Sequence, residues 1–187
     1  MEFDVDSIRL QRLGERIREE TIVRLFLSYE GALLEADGRL DAALPGLLAG
    51  LVRRPNLFPV VLSQRDGQSL ARLLPVEGLI LAGRDGLEIL EPDEDPLRLD
   101  RRLRLPSTAP AALRSALTGW VLANRTPDDA LAVYIGAGPP DEQAFDLVCA
   151  AGGQAVKVGE AGEDGCRSWL PDPPAVRAFL TALTSSG

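Results

Sequence analysis

Short apolar runs alternate with amphipathic stretches along most of the chain. The runs are rich in aliphatic and β-branched residues and predict strands at 22–27, 58–63, 78–83, 86–90, 131–136 and 154–159, the last of the series. Apolar residues at helical spacing predict helices at 6–20, 41–55, 67–75, 109–123, 141–153 and 173–183. Strands that alternate with helices predict a mainly parallel sheet covered on both faces. The fold class is therefore three-layer, Rossmann-like α/β.

The domain organisation follows from this rhythm. At 187 residues the chain suits one domain with a sizeable core. We expect residues 1–20 to form an N-terminal helix packed on the core and residues 21–187 to form a single α/β domain. One segment, 91–110, breaks the rhythm with blocks of acidic and basic residues between prolines. We interpret it as a short connection in which LRLDRRLRL is a candidate strand.

Composition removes several classes of function. The net charge of −8 argues against nucleic acid and against a membrane surface. No histidine is present, which excludes Ser-His-Asp and Cys-His catalysis and His-ligated zinc. The N-terminus is charged, and no run approaches the ~20 apolar residues of a membrane span. A cytoplasmic location is expected. Cys149 and Cys166 have neither metal-ligand nor redox-motif spacing, so we expect two unpaired thiols.

Polar residues follow three of the predicted strands. In open parallel sheets, ligands bind in the crevice outside the carboxyl ends of the strands. This rule selects three segments as the candidate site: SYEG (28–31), SQRDG (63–67) and GAGPPDE (136–142).

These segments, in this order, resemble motifs of the haloacid-dehalogenase superfamily and specifically of trehalose-6-phosphate phosphatases. The matching text is LFLSYEGAL, VVLSQRDGQSLARLLP, LAGRDGLEI, LTGWVL and VYIGAGPPDEQAF, from about residue 22 to the closing helix. In the family these motifs read D-x-D-G-T, S-G-R, G-x-H-G-L-E-I, Lys-Gly and Y-I-G-D-D-x-T-D-E-x-A-F. The resemblance implies the core fold of that superfamily.

The resemblance also implies that the catalytic groups are replaced. Ser28 stands where the family has the aspartate that attacks phosphorus and becomes aspartyl-phosphate. Glu30 stands in place of the general acid and base, where one extra methylene displaces a proton donor by about 1 Å. Thr118 replaces the lysine that clamps the phosphoryl group. No catalytic residue is therefore expected to be functional.

The family's metal site is implied to be lost as well. Mg²⁺ requires oxygen ligands in near-octahedral array. Ala137 and Gly138 hold the positions of the leading carboxylates of the last motif. Glu30, Asp141 and Glu142 remain as weak candidate ligands. We expect no cofactor, and Mg²⁺ only if residual hydrolysis survives.

A remnant of phosphate binding is the remaining feature of the site. Gly31, Ser63 and Arg65 match the family's motifs, and backbone N–H groups at a helix start favour anions. Arg65 could instead pair with a neighbouring carboxylate: Asp66, Asp141 or Glu142.

The cap domain is the second loss. The resembled phosphatases insert a sugar-recognising cap between the G-L-E-I stretch and the Lys-Gly helix, and this chain has too few residues there for a full cap. We therefore expect a catalytically defective protein that acts as a binding, regulatory or structural subunit, through a protein partner or self-association. Two alternatives stay open: a weak Mg²⁺-dependent phosphohydrolase acting on a sugar phosphate, and a sensor of phosphate or sugar phosphate.

Overall fold

The alternation of strands and helices is observed in the computed structural model, which describes residues 5–35, 37–90, 118, 130–160 and 167–185. The predicted connection at 91–110 lies outside the described residues. So does the predicted helix at 109–123, apart from Thr118, which is helical.

The described helices are α1 (Val5–Glu19), α2 (Leu44–Val52), α3 (Gly67–Leu73), α4 (Glu142–Ala150) and α5 (Pro173–Thr184). The strands are β1 (Val23–Ser28), β2 (Leu57–Leu62), β3 (Ile80–Gly83), β4 (Glu88–Leu90), β5 (Leu131–Gly136), β6 (Gln154–Val158) and β7 (Arg167–Leu170). None of these helices is both long enough and apolar enough to cross a membrane.

The strands form one sheet in the order β4-β3-β2-β1-β5-β6-β7. The β3–β4 hairpin is antiparallel, and every other neighbouring pair is parallel. The prediction of a mainly parallel α/β sheet is confirmed. Register brings the carboxyl ends of the central strands to one edge, because Ser28 pairs with Leu62 while Leu27 pairs with Ile135.

The core lies on both faces of the sheet. Every residue of β1 is buried, which requires a covering layer on each side. Leu25 and Leu27 pack in one apolar cluster with Leu13 and Ile17 of α1, while Phe26 packs in a second cluster with Phe145 of α4. The N-terminal helix thus contributes to the core, and the molecule has three layers.

Two elements differ from the predictions. Strand β7 was missed, because RSWL is short, contains two polar residues and lacks a clear period. The second helix begins at Leu44 instead of residue 41. The reason is local: the Asp41 carboxylate accepts a hydrogen bond from Ala43 N at 2.7 Å, which favours a turn before the helix.

The expectation of unpaired cysteines is wrong, since Cys149 at the end of α4 is disulfide-bonded. Cys166, the other cysteine of the chain, lies outside the described residues and immediately precedes β7. The spacing of cysteines along the sequence tests only for metal and redox motifs. It does not reveal which residues of a helix and a missed strand are close in space. Side chains of β7 and α4 do meet, because Arg167 contacts Asp146.

Candidate functional site

The loops that follow β1, β2 and β5 meet at the carboxyl edge of the sheet, as the strand-end rule predicts. The Glu30 side chain contacts Ser63. On the other side, a Cβ placed on Gly31 would lie only 2.8 Å from the Cβ of Ala137. The three predicted segments therefore form one crevice, which we call the carboxyl-edge crevice.

Ser28 ends β1 beneath this crevice and is fully buried. Its hydroxyl donates a hydrogen bond to the backbone carbonyl of Glu30 at 3.3 Å. A nucleophilic serine needs a base that can remove its proton, and a carbonyl oxygen is not such a base. This contact shapes the loop, and the carbonyl at its other end cannot take the proton of the hydroxyl.

The Glu30 carboxylate turns towards the loop after β2. One oxygen accepts from the Ser63 hydroxyl at 2.6 Å, and the other accepts from Gln64 N at 3.3 Å. The Ser63 hydroxyl oxygen in turn accepts from Arg65 N at 3.1 Å. A hydroxyl and backbone N–H groups are the donors that would hold an oxyanion, and here a side chain of the same chain uses them. An external phosphate would have to displace this carboxylate.

Arg65 lies outside these hydrogen bonds. Its guanidinium stacks 5.7 Å from the centre of the Tyr29 ring, a cation–π geometry. Burial raises the pKa of the Tyr29 hydroxyl, and the positive charge of Arg65 partly opposes that rise. The side chain is exposed, so it could still reach a ligand.

The suggested pairing of Arg65 with a carboxylate is not observed, because the three carboxylates have other partners. Asp66 caps α3 by accepting from Ser69 N at 2.9 Å. Asp141 and Glu142 bind donors other than Arg65.

Asp141 is buried and works inside the fold. Its carboxylate accepts from the Tyr134 hydroxyl at 2.8 Å and from Ala137 N at 2.7 Å. A Cβ on Gly136 would lie 2.6 Å from the same carboxylate, so the side chain fills the space beside β5. Asp141 thus fixes the loop after β5 from within.

Glu142 belongs to an ion-pair network over β6 and β7. It accepts from Lys157 Nζ at 2.7 Å and from Arg167 Nη1 at 2.6 Å, while Arg167 Nη2 binds Asp146 at 2.5 Å. The hydrogen bond from Lys157 is the main cause that lowers the pKa of the Glu142 carboxyl. The weak metal candidates Glu30, Asp141 and Glu142 are therefore bonded to three separate sets of donors.

The loop after β2 is also held by its main chain. Asp85 N donates to Ser63 O at 2.8 Å, and Arg84 N donates to Arg65 O at 2.7 Å. Arg84 and Asp85 adopt left-handed backbone angles, with φ of 47° and 55°. Such angles are uncommon outside glycine and here aim both N–H groups at the neighbouring loop.

Solved structures share this architecture. A trehalose-6-phosphate phosphatase from Aspergillus fumigatus superposes with a TM-score of 0.77 at 15% identity, over 95% of this chain and 98% of that one. The fold is that of the trehalose-6-phosphate phosphatases. The C-terminal domain of a Candida albicans trehalose-6-phosphate phosphatase superposes with a TM-score of 0.69 at 13% identity, over 95% of this chain and 97% of that one. At such identities the likeness concerns the fold alone.

A third structure with the trehalose-phosphatase fold is the C-terminal domain of a Candida albicans trehalose synthase regulatory protein. It superposes with a TM-score of 0.58 at 13% identity, over 94% of this chain and 98% of that one. No protein-family model matches the sequence, and no curated protein sequence matches it either. The resemblance to haloacid-dehalogenase proteins is confirmed at the level of fold.

The positions that the resemblance assigns to the metal site offer few side-chain ligands to a magnesium ion. Ala137 and Gly138 offer no side-chain oxygen. Within the described ranges, no group of three or more acidic, cysteine or histidine side chains could hold a metal. Thr118 is buried, and its hydroxyl has no hydrogen-bond partner in the described part of the chain. A neutral hydroxyl cannot supply the charge of the family's lysine.

Sequence reasoning missed three participants in the site. Gln64 enters through its backbone N–H, which no side-chain motif reveals. Tyr134 lies inside a strand, and only its hydroxyl, which would need a buried partner, hinted at a role. Arg167 belongs to the strand that the pattern missed.

Proposed function

We propose that this chain is a non-catalytic domain of the trehalose-phosphatase fold that serves as a binding, regulatory or structural subunit. The observation that carries the proposal is the position of the Glu30 carboxylate on the Ser63 hydroxyl and Gln64 N. In a working phosphatase those donors must be available to the substrate. Here an internal anion uses them.

The replacement of the other catalytic groups supports the same conclusion. Ser28 donates to a carbonyl, Ala137 and Gly138 provide no metal ligand, and Asp141 is committed to Tyr134 and Ala137. We propose on this basis that the domain works without Mg²⁺. The Candida albicans trehalose synthase regulatory protein, whose C-terminal domain has a similar fold, adds an analogy for a regulatory role.

The carboxyl-edge crevice is the proposed contact surface, for a protein partner or for a second copy of the chain, in the cytoplasm. Exposed Arg65 and Gln64 line it, with Pro139 on the facing loop. In sedimentation velocity, self-association should weaken in Arg65→Glu and persist in Arg53→Glu, a matched exposed arginine after α2. If the chain is monomeric at every concentration, self-association is wrong and a different protein partner is required.

Hydrolysis assays test the catalytic part of the proposal. p-Nitrophenyl phosphate and trehalose 6-phosphate are incubated with the chain and Mg²⁺ or Mn²⁺, beside an active phosphatase as a positive control. We expect no turnover above buffer for the wild-type chain. Metal-dependent hydrolysis that disappears in Glu30→Ala would overturn the proposal in favour of a weak phosphohydrolase.

The sensor alternative predicts that phosphate raises the melting temperature through the crevice, because a ligand that binds only the native state stabilises it. Since Glu30 competes for the donors, we expect no stabilisation that depends on Arg65. Phosphate-dependent stabilisation that is lost in Arg65→Ala and strengthened in Glu30→Ala would establish the sensor instead.

A further inference from the structure

A second polar cavity lies far from the carboxyl-edge crevice, between α1 and the amino ends of β6 and β7. We call it the α1–β7 cavity. It has a volume of about 200 Å³, and its polar lining comprises Arg9, Arg12 and Arg16 of α1 with Gln154, Arg167 and Ser168 of the strands. Gln154 begins β6, and Arg167 and Ser168 begin β7. Because parallel strands run in one direction, this cavity lies at the edge of the sheet opposite to the crevice.

The three arginines of α1 share one face of the helix. Their spacing of three and four residues places side chains above one another along that face. Arg9 Nη1 donates to the backbone carbonyl of Arg167 at 3.4 Å, and this hydrogen bond links α1 to β7. Arg16 lines the cavity, and its Nε donates to the Glu20 carboxylate at 3.2 Å. Arg12 makes no ion pair with any described residue.

The strand side of the cavity supplies neutral polar groups. Ser168 is only 3% exposed and lines the cavity. Gln154 precedes Val156 by two residues and therefore shares its face, and Val156 is the register partner of Ser168. Gln154 is half-buried and lines the cavity as well. A hydroxyl and an amide can both donate hydrogen bonds to the oxygens of a ligand.

The charge of the cavity contrasts with that of the whole chain, whose net charge is −8. Of the nearby carboxylates, Glu20 binds Arg16 Nε, Glu15 accepts from Gln11, and Glu142 and Asp146 bind Arg167 on the opposite face of the sheet. Arg12 is therefore the arginine of the lining that has no carboxylate partner among the described residues. Guanidinium groups match oxyanions through paired hydrogen bonds and stay charged at every physiological pH.

The volume of the cavity limits the size of its ligand. A volume of about 200 Å³ equals that of six or seven water molecules of ~30 Å³ each. This space suits a phosphate group with part of the molecule that carries it, and it is small for a nucleotide. We propose that the α1–β7 cavity binds a small phosphate monoester, with Arg12 and Arg16 on the phosphate and Ser168 and Gln154 on its remaining oxygens.

Titration of the full-length chain with inorganic phosphate, glucose 6-phosphate and glucose tests this proposal. Backbone amide shifts of Gln154 and Ser168 in ¹H–¹⁵N spectra report binding at the cavity, and thermal shifts report the affinity. Saturable binding of glucose 6-phosphate is expected at concentrations up to about 10 mM, corresponding to weak affinity. Glucose, which lacks the phosphate, should have no effect.

Variants locate the ligand. Arg12→Ala should weaken binding by about tenfold or more, Ser168→Ala should weaken it less, and Arg18→Ala is the matched control on the same helix outside the cavity. Arg12 is exposed, so its removal should leave the fold intact. No saturable binding, an equal loss in Arg18→Ala, or a loss in Arg65→Ala with none in Arg12→Ala would each overturn the proposal. Unlike the crevice, this cavity should respond equally in Glu30→Ala and wild type.

Discussion

Gly138 carries a backbone conformation that no aspartate can adopt without strain. Its φ of 74° and ψ of −174° lie in a region that is almost exclusive to glycine. A Cβ added there would meet only Pro140 Cδ, at 3.8 Å, which is ordinary van der Waals contact. Gly138→Ala should therefore cost backbone strain and little else, about 1–3 kcal/mol of unfolding free energy.

Urea unfolding followed by circular dichroism measures this cost. The dependence of the unfolding free energy on urea concentration should not change. In thermal unfolding, the same loss should lower the melting temperature by about 2–12 °C for a chain of this size. Gly46→Ala is the control, because Gly46 lies in α2 and an added Cβ meets nothing within 4 Å. Alanine there should be stabilising by roughly 0.5–1 kcal/mol. A neutral or stabilising Gly138→Ala would refute the argument from backbone angles.

The same strain should affect a variant that carries the side chains of the family's catalytic motifs. Ser28→Asp, Glu30→Asp, Thr118→Lys and Ala137→Asp introduce the side chains of the family's motifs. Ser28 and Glu30 have extended backbone angles, which impose no such demand. Adding Gly138→Asp should lower stability by the same ~1–3 kcal/mol. We expect the five-substitution variant to recover Mg²⁺ binding, by calorimetry, before it recovers turnover. Turnover without measurable Mg²⁺ binding would contradict this order.

Two further predictions concern the carboxylates of Asp141 and Glu142. Tyr134→Phe removes a buried hydrogen bond to Asp141 and should cost about 1.5–3 kcal/mol in urea unfolding. In a double-mutant cycle with Asp141→Asn the two losses should overlap by about 1 kcal/mol or more, and strict additivity would contradict the contact. Glu142→Gln should destabilise the chain at pH 7 relative to the exposed control Glu77→Gln. Because the folded-state pKa of Glu142 is lowered, its contribution is complete above the unfolded pKa of about 4.3 and disappears as the pH falls through the lower folded value. A difference that persists unchanged at strongly acidic pH would rule out the ion pairs as its cause.

The fold was predictable because its signals are local and repeated. Aliphatic runs such as IVRLFL and LAVYIG are covered on both faces, so their residues are almost uniformly apolar. Strand β7 escaped prediction because four residues, of which Arg167 and Ser168 are polar, carry too little periodicity. Its position at the edge of the sheet could therefore not be predicted from the sequence.

The site was predictable in place and not in detail. The strand-end rule located the loops at Ser28, Ser63 and Gly136, since parallel strands deliver their carboxyl ends to one edge. The rule does not predict which hydrogen-bond donor each carboxylate binds. Glu30 and Ser63 are 33 residues apart, and their hydrogen bond depends on the register of β1 against β2. Asp141 likewise resembles a metal ligand until its buried partners are known.

The left-handed turn at Arg84 and Asp85 fixes the backbone of the loop after β2, whatever side chains line the crevice. Its N–H groups hold the carbonyls of Ser63 and Arg65, and main-chain bonds of this kind do not depend on which side chains the loop carries. Substitutions of the exposed side chains of Gln64 and Arg65 should therefore leave the loop in place. Because its main chain holds the loop, the fold offers protein engineers a stable frame on which new side chains, and with them a new recognition surface, can be selected.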